Sequence, residues 1–197
     1  MEQPKQLLPW HERPMIVYCI EQLSAVEAIT QVVVVLGHDA EAMRAALYAS
    51  PGTPSTSTSL ALGASVSIVM NQAYAKGKTT SIQAGLRALS APFDAVLILA
   101  TDQPRPAQVL SELIQAHFPS GRPVTVPTFG GKWGHPPVFS AALLPELLAI
   151  SEERQGLREV MERHRSQVQE HAVDSAIVLT NLNTEAEYLR AHASDAG

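Results

Sequence analysis

One cysteine among 197 residues, Cys19, leaves no partner for an internal disulfide, so the fold must rest on its core rather than on cross-links. Charged residues make up only 17% of the chain, yet no stretch reaches the roughly 18 to 20 consecutive apolar residues that a membrane-spanning helix needs. That excludes a bilayer-spanning helix. Positive charge is scarce: 14 Lys and Arg stand against 19 Asp and Glu, a net charge of -5. No basic cluster could neutralise several phosphates of a duplex, so DNA and RNA are not expected partners. The first residues lack the charged-then-apolar pattern of a secretory signal, and with the lone cysteine this points to the cytoplasm.

Hydrophobic residues make up 46%, enough to build a core in a chain whose length suits one domain, residues 1–197. Val32–Leu36 is a continuous apolar run ending at Gly37, the pattern of a strand buried on both faces. Val66–Met70 and Ala95–Ala100 have the same character, and helical periodicity fills the intervals. The alternation predicts an α/β fold with helices over Pro14–Leu23, Ala40–Tyr48, Thr79–Leu89, Ala107–Ala116, Ala141–Ile150 and Gly156–His164. Cys19 flanks the buried face of the first of these and reads as core. Ser50–Ser59, almost wholly Ser, Thr, Pro and Gly, reads as a mobile loop. Strands are expected at Val124–Val126, Pro137–Phe139, Val168–Val173 and Ala176–Leu179, with an antiparallel hairpin in the second half and a last helix from Glu185.

Asp102 ends the apolar run Leu97–Ala100, at the strand edge where open α/β sheets bind ligands. A hard carboxylate there suits Mg²⁺ bridging phosphate oxygens, and it equally suits an N-cap of the helix starting near Pro106. Gly77, ahead of Lys78-Thr79-Thr80-Ser81, allows close backbone approach at a helix start, although on local pattern alone Thr79 or Thr80 as a simple N-cap is the commoner arrangement. Gly130–Pro137 gathers three glycines, Trp133 and His135 into a candidate binding loop, with Trp133 offering a stacking face; a simple turn is the alternative. Asn181 and Asn183 could add carbonyl oxygens to a metal site or satisfy local turns, and Thr184 with Glu187 has capping-box spacing.

Taken in order, Met1–Leu8, the Gly77–Gly85 loop, Thr101-Asp102-Gln103-Pro104, Gly134-His135-Pro136 and Asn181-Leu182-Asn183-Thr184 resemble the molybdenum cofactor cytidylyltransferases, over nearly the whole chain. The resemblance implies a Rossmann-like, glycosyltransferase-A type three-layer sandwich with a mostly parallel sheet. It implies Mg²⁺-dependent transfer of CMP from CTP to the phosphate of molybdopterin, and a molybdenum hydroxylase apoenzyme as receiver. By this resemblance Asp102 matches the metal ligand, Lys5 the phosphate-binding and catalytic lysine, Gly77 and Ser81 the nucleotide-contacting loop, His135 and Pro136 the pterin-facing motif, and Asn183 a second metal ligand.

The chain departs from the family pattern at its start. Relatives begin with a strand and the loop Leu-Ala-Ala-Gly-x-Ser-x-Arg-Met-Gly-x-x-Lys, whereas Met1 falls at the Met of that motif and Glu2 replaces its Gly. The first strand is therefore expected to be missing, leaving backbone groups of the Val32 and Ala95 strands unpaired at about 1 to 3 kcal/mol each. Gly156 and Arg158 agree with a segment that relatives often write Gly-Asp-x-Gly-x-Arg, but here Glu153-Arg154-Gln155 precede Gly156 and the Asp is missing. The competing readings are a nucleotidyltransferase for another base or acceptor, a non-catalytic pterin-binding or cofactor-insertion protein, and an inactive fragment. The absence of a Ser-His-Asp order or a Cys/His-rich pattern disfavours hydrolase and zinc chemistry.

Overall fold

Residues 4–49 and 64–195 are described by the computed structural model. A short 3-10 turn at Lys5–Leu7 leads into a small hairpin, β1 (Pro9–Trp10) and β2 (Arg13–Pro14), which sequence patterning misses because each strand has only two residues. Then come α1 (Met15–Ser24), β3 (Gln31–Leu36), α2 (Ala40–Ala49), β4 (Ser65–Met70), α3 (Lys78–Ala88), β5 (Ala95–Leu97) and α4 (Ala107–Ser120). The second half supplies β6 (Val124–Phe129), β7 (Lys132–Trp133), β8 (Val138–Ser140), α5 (Leu144–Leu148), α6 (Leu157–Arg163), β9 (Val168–Ala172) and α7 (Glu185–Asp195). The run Ser50–Ser59 lies outside the described residues.

The strands form two main sheets. β3 and β4 pair in parallel from Gln31↔Ser65 to Leu36↔Met70. The larger sheet is mixed, ordered β5-β8-β6-β7 with β9 parallel to β6. The hairpin expected in the second half is β6–β7, closed by Gly130 and Gly131, whose φ of 58° and 73° suit a tight two-residue turn. Among the described residues no ladder joins β3 to β5. Helices hold the two sheets together instead. On one face Ile16, Val17 and Ile20 of α1 pack with Met43 and Leu47 of α2 against Val32, Val34 and Leu36, while Tyr18 and Cys19 reach Leu99 and Leu182. On the other, Gly85 of α3 meets Val35, and Leu86 joins Val124, Val126, Phe139, Leu147 and Val160.

Four expectations need correction. Val32–Leu36 is not buried on both faces: Val32, Val34 and Leu36 are buried, whereas Val33 and Val35 are half-buried. The strand expected over Ala95–Ala100 stops at Leu97: its partner β8 is preceded by Pro136 and Pro137, which have no N–H to continue the ladder, and only the Ile98 N–H still reaches Pro137 O, at 3.3 Å. Ala176–Leu179 is a 3-10 turn rather than a strand, started by Ser175, whose hydroxyl accepts the Ile177 N–H. The helix expected over Ala141–Ile150 is a 3-10 turn, Ala141–Leu143, followed by α5. Cys19 is core as expected: burial pushes its thiol up to about 12, and its S–H lies 3.9 Å from the Thr101 carbonyl. No helix among the described residues is long and apolar enough to cross a membrane.

Candidate functional site

Beyond β5 the backbone turns sharply, the Gln103 N–H donating to Ala100 O at 3.0 Å, and this turn carries Asp102 clear of the strand. Asp102 is not the cap of α4. That helix has no side-chain cap at Pro106, and its Ala107 N–H is taken by Gln22 Oε1 at 2.9 Å. The half-buried Asp102 carboxylate accepts no hydrogen bond among the described residues, which leaves its oxygens free for a ligand.

The C-terminal segment lies against this turn. Leu182 N–H donates to Asp102 O at 2.9 Å, Gln103 Nε2 donates to Asn181 Oδ1, and Lys5 Nζ donates to the main-chain oxygen of Asn183. Lys5, Asp102 and Asn183, separated widely in sequence, thus share one edge. The amide oxygen of Asn181 is spent on Gln103, while the residue Asn183 is exposed. Thr184 and Glu187 form the reciprocal capping pair that their spacing predicts: Thr184 N–H to Glu187 Oε2 at 2.8 Å and Glu187 N–H to Thr184 Oγ1 at 3.2 Å.

A residue that sequence reasoning missed organises this edge. Arg105 is 0% exposed, and its guanidinium donates to Pro104 O (3.0 Å), His135 O (3.0 Å), Val178 O (3.2 Å) and Thr180 O (2.8 Å). It ties the Asp102 turn to the His135 loop and to the segment that runs on to Asn183. Flanked by two prolines, it reads in sequence as an ordinary solvated turn.

The His135 loop is held equally closely. His135 N–H donates to Val178 O at 2.8 Å, and Gly134 N–H to Pro127 O at 2.7 Å. A Cβ on Gly134 would lie 2.5 Å from Val178 O, so only glycine admits this approach. Gly134→Ala is expected to destabilise the fold by at least about 1 kcal/mol and to loosen His135, read as a lowered urea midpoint. The peptide bond His135–Pro136 is cis, and Pro136 is buried. Trp133 does not offer a free stacking face: its Nε1–H donates to Glu170 Oε1 at 2.8 Å, and the Arg165 guanidinium lies 5.0 Å over its ring.

The third arm is the start of α3. Gly77, at φ 118°, is its N-cap, so neither Thr79 nor Thr80 caps it. Thr80 Oγ1 instead donates back to Gly77 O at 2.7 Å, and the Thr79 N–H is taken by Glu152 Oε1 at 2.7 Å. Asn71, buried at the exit of β4, donates through Nδ2 to both Thr80 Oγ1 and Ser81 Oγ at 2.9 Å. Because Ser81 Oγ accepts there, its own proton is left to donate to a ligand.

His135 lies within electrostatic reach of both arms, of Asp102 at one and of Lys78 at the start of α3. Burial lowers its pKa, with the positive charges of Arg105 and Lys78 adding to the effect and Asp102 opposing it, so its imidazole is neutral at pH 7. Burial also lowers His117, whose Nδ1 lies 2.8 Å from Thr125 Oγ1. Both are held neutral while the unfolded chain binds protons near pH 6.5, so stability falls as pH drops below about 6.5. The expected result is a lower urea midpoint at pH 5.5 than at pH 7.5, with a flatter slope in His117→Gln.

Among the described residues no group of three or more His, Cys, Asp or Glu side chains converges on one point. A cation here would rest on one carboxylate, amide or water oxygens and the oxygens of its substrate. That is the ordinary manner of Mg²⁺, which keeps several waters and needs only one or two carboxylates. The free Asp102 carboxylate fits it.

Among curated proteins none matches the sequence. Solved structures match the fold. Rv0371c from Mycobacterium tuberculosis H37Rv is 23% identical with a TM-score of 0.75, covering 98% of this chain and 90% of that one. A structure of the same protein with manganese gives a TM-score of 0.72 at 23% identity, covering 97% and 92%. A nucleotidyl transferase from Methanothermobacter thermautotroptrophicus is 23% identical with a TM-score of 0.74, covering 96% and 84%. Molybdopterin-guanine dinucleotide biosynthesis protein A from Archaeoglobus fulgidus is 18% identical with a TM-score of 0.62, covering 99% and 92%. The family model of the MobA-like NTP transferase domain matches residues 1–172, and the chain belongs to that family of nucleotidyltransferases.

Proposed function

We propose that residues 1–197 form one nucleotidyltransferase domain that moves CMP from CTP to the phosphate of molybdopterin, in the cytoplasm, for delivery to a molybdenum hydroxylase apoenzyme. The observation that carries the reading is the unengaged Asp102 carboxylate, set at a strand end against Lys5 and the Asn183 segment and within electrostatic reach of His135. An oxygen of the acceptor phosphate attacks the α-phosphorus, the bond from that phosphorus to the β-phosphate oxygen breaks, and pyrophosphate leaves. The attacking oxygen is already anionic, so no general base is required. Positioning and charge neutralisation carry the catalysis.

Asp102, with Asn183, would hold Mg²⁺, which supplies charge neutralisation to the triphosphate; the manganese complex of the Mycobacterium protein supports a divalent ion. Lys5 spends one donor on Asn183 O and keeps two N–H donors for phosphate oxygens. Gly77 and Ser81 meet the base, and neutral His135 can donate one N–H to the pterin or its phosphate. The test is pyrophosphate release with Mg²⁺ and molybdopterin, comparing CTP with GTP. Release with CTP that stops on chelation supports the reading, release with GTP alone replaces the base, and pterin binding without nucleotide binding replaces the transferase with a pterin-binding protein.

A further inference from the structure

Glu152, from the loop between α5 and α6, sits directly on Gly77. A Cβ on that glycine would lie 2.4 Å from Glu152 Cγ and 2.5 Å from its Cδ and Oε1. The contact is anchored on both sides: Gln83 Nε2 donates to Leu148 O at 3.0 Å and Ile150 O at 2.9 Å, and a Cβ on Gly156 would lie 3.1 Å from Thr79 Cγ2. The carboxyl is held below the usual carboxylate range, chiefly by the Thr79 N–H, and is therefore an anion at neutral pH.

An α-helix start ordinarily attracts phosphate. At α3 that end already holds a carboxylate, which repels a second anion. The phosphates of a bound nucleotide therefore belong at Lys5 and at the cation that Asp102 would hold, and the base at Gly77. A carboxylate offers about four acceptor positions, and Thr79 leaves some of them open. Ser81 adds a donor on the same helix start, its oxygen being held by Asn71.

We infer that Glu152 determines base specificity, accepting from the exocyclic amino group of cytosine, adenine or guanine and selecting against uracil. The inference rests on the nucleotidyl-transfer reading above. An acceptor with a donor beside it matches the amino group and ring nitrogen of cytosine; uracil presents a carbonyl and an N–H at the same positions, and so opposes both.

The experiment is calorimetric titration of CTP and UTP, with Mg²⁺, into the wild-type chain, Glu152→Gln and Ser81→Ala. Gln keeps an oxygen for the Thr79 N–H, so the thermal midpoint should hold while an amide donor replaces acceptor capacity. The wild type is expected to prefer CTP about tenfold or more, the worth of one hydrogen bond to a charged group, and Glu152→Gln to bring the two within about threefold. Ser81→Ala should shift the ratio the same way by less. An unchanged ratio with nucleotide bound overturns the inference alone. So does an equal gain by Glu152→Gln for both nucleotides and for inorganic triphosphate, which would put phosphates at α3. Binding of neither nucleotide by any form removes the transferase reading as well.

Discussion

Asp102→Asn is expected to lower metal-dependent pyrophosphate release by about a hundredfold to a thousandfold, the range seen when one preorganised electrostatic partner of a transition state is removed. The substitution keeps the shape of the side chain and removes one negative charge. Since the carboxylate accepts no hydrogen bond from the described residues, its loss orphans no donor, and the Asp102 main-chain oxygen still receives the Leu182 N–H. Folding should therefore survive, and the thermal midpoint should stay near that of the wild type. A weakly binding cation should also need a higher concentration for half-maximal rate, which a Mg²⁺ or Mn²⁺ titration reads directly. Turnover equal to the wild type would remove Asp102 from the mechanism.

The second large effect concerns stability. Arg105→Met should destabilise the domain by about 3 to 5 kcal/mol, a large share of the roughly 5 to 15 kcal/mol that a domain of this kind possesses. Val178 O keeps the His135 N–H as a second donor, whereas Pro104 O, Thr180 O and His135 O depend on the guanidinium alone among the described residues. Each buried carbonyl without a donor costs about 1 to 3 kcal/mol. Against this, burial lowers the Arg105 pKa to about 10, so the charge carries a desolvation cost that Met would relieve. The relief places the net loss toward the lower end of the range. Arg105→Lys should not rescue fully, because one compact ammonium cannot span carbonyls that the planar fork reaches from both sides. Urea denaturation measures all three forms, and an Arg105→Met midpoint within error of the wild type would refute the account.

The contrast between these two residues shows what the sequence reveals and what it hides. Asp102 is legible because an apolar run ends on it, and the same runs locate β3, β4 and the helices to within a few residues. Gly77, His135 and Asn183 are legible as loop candidates, Lys5 enters through resemblance alone, and the fold brings Lys5 to Asn183 and His135 within electrostatic reach of Lys78 and Asp102. Arg105, Asn71 and Glu152 are invisible beforehand because their partners are distant or their contacts are with backbone. A carbonyl has no residue type to read, and the Gly77 to Glu152 contact depends on how a remote loop returns. The error at Ala176–Leu179 has the same root: Ile, Val and Leu favour a strand locally, but the Ser175 hydroxyl offers the Ile177 N–H a closer acceptor.

The absence, among the described residues, of a ladder between β3 and β5 bears on how the molecule opens. A continuous sheet transmits rupture from strand to strand, whereas here the β3–β4 pair is linked to the rest through packed helices and a few polar ties, such as the Gln31 amide, which both donates to and accepts from the Ser90 backbone. Side-chain packing is lost more readily than a ladder is unzipped, so the pair should form its own cooperative unit. Amides of Val32–Leu36 should then exchange with solvent deuterium through a sub-global opening, while those of β6, paired on both sides by β8 and β9, wait for complete unfolding.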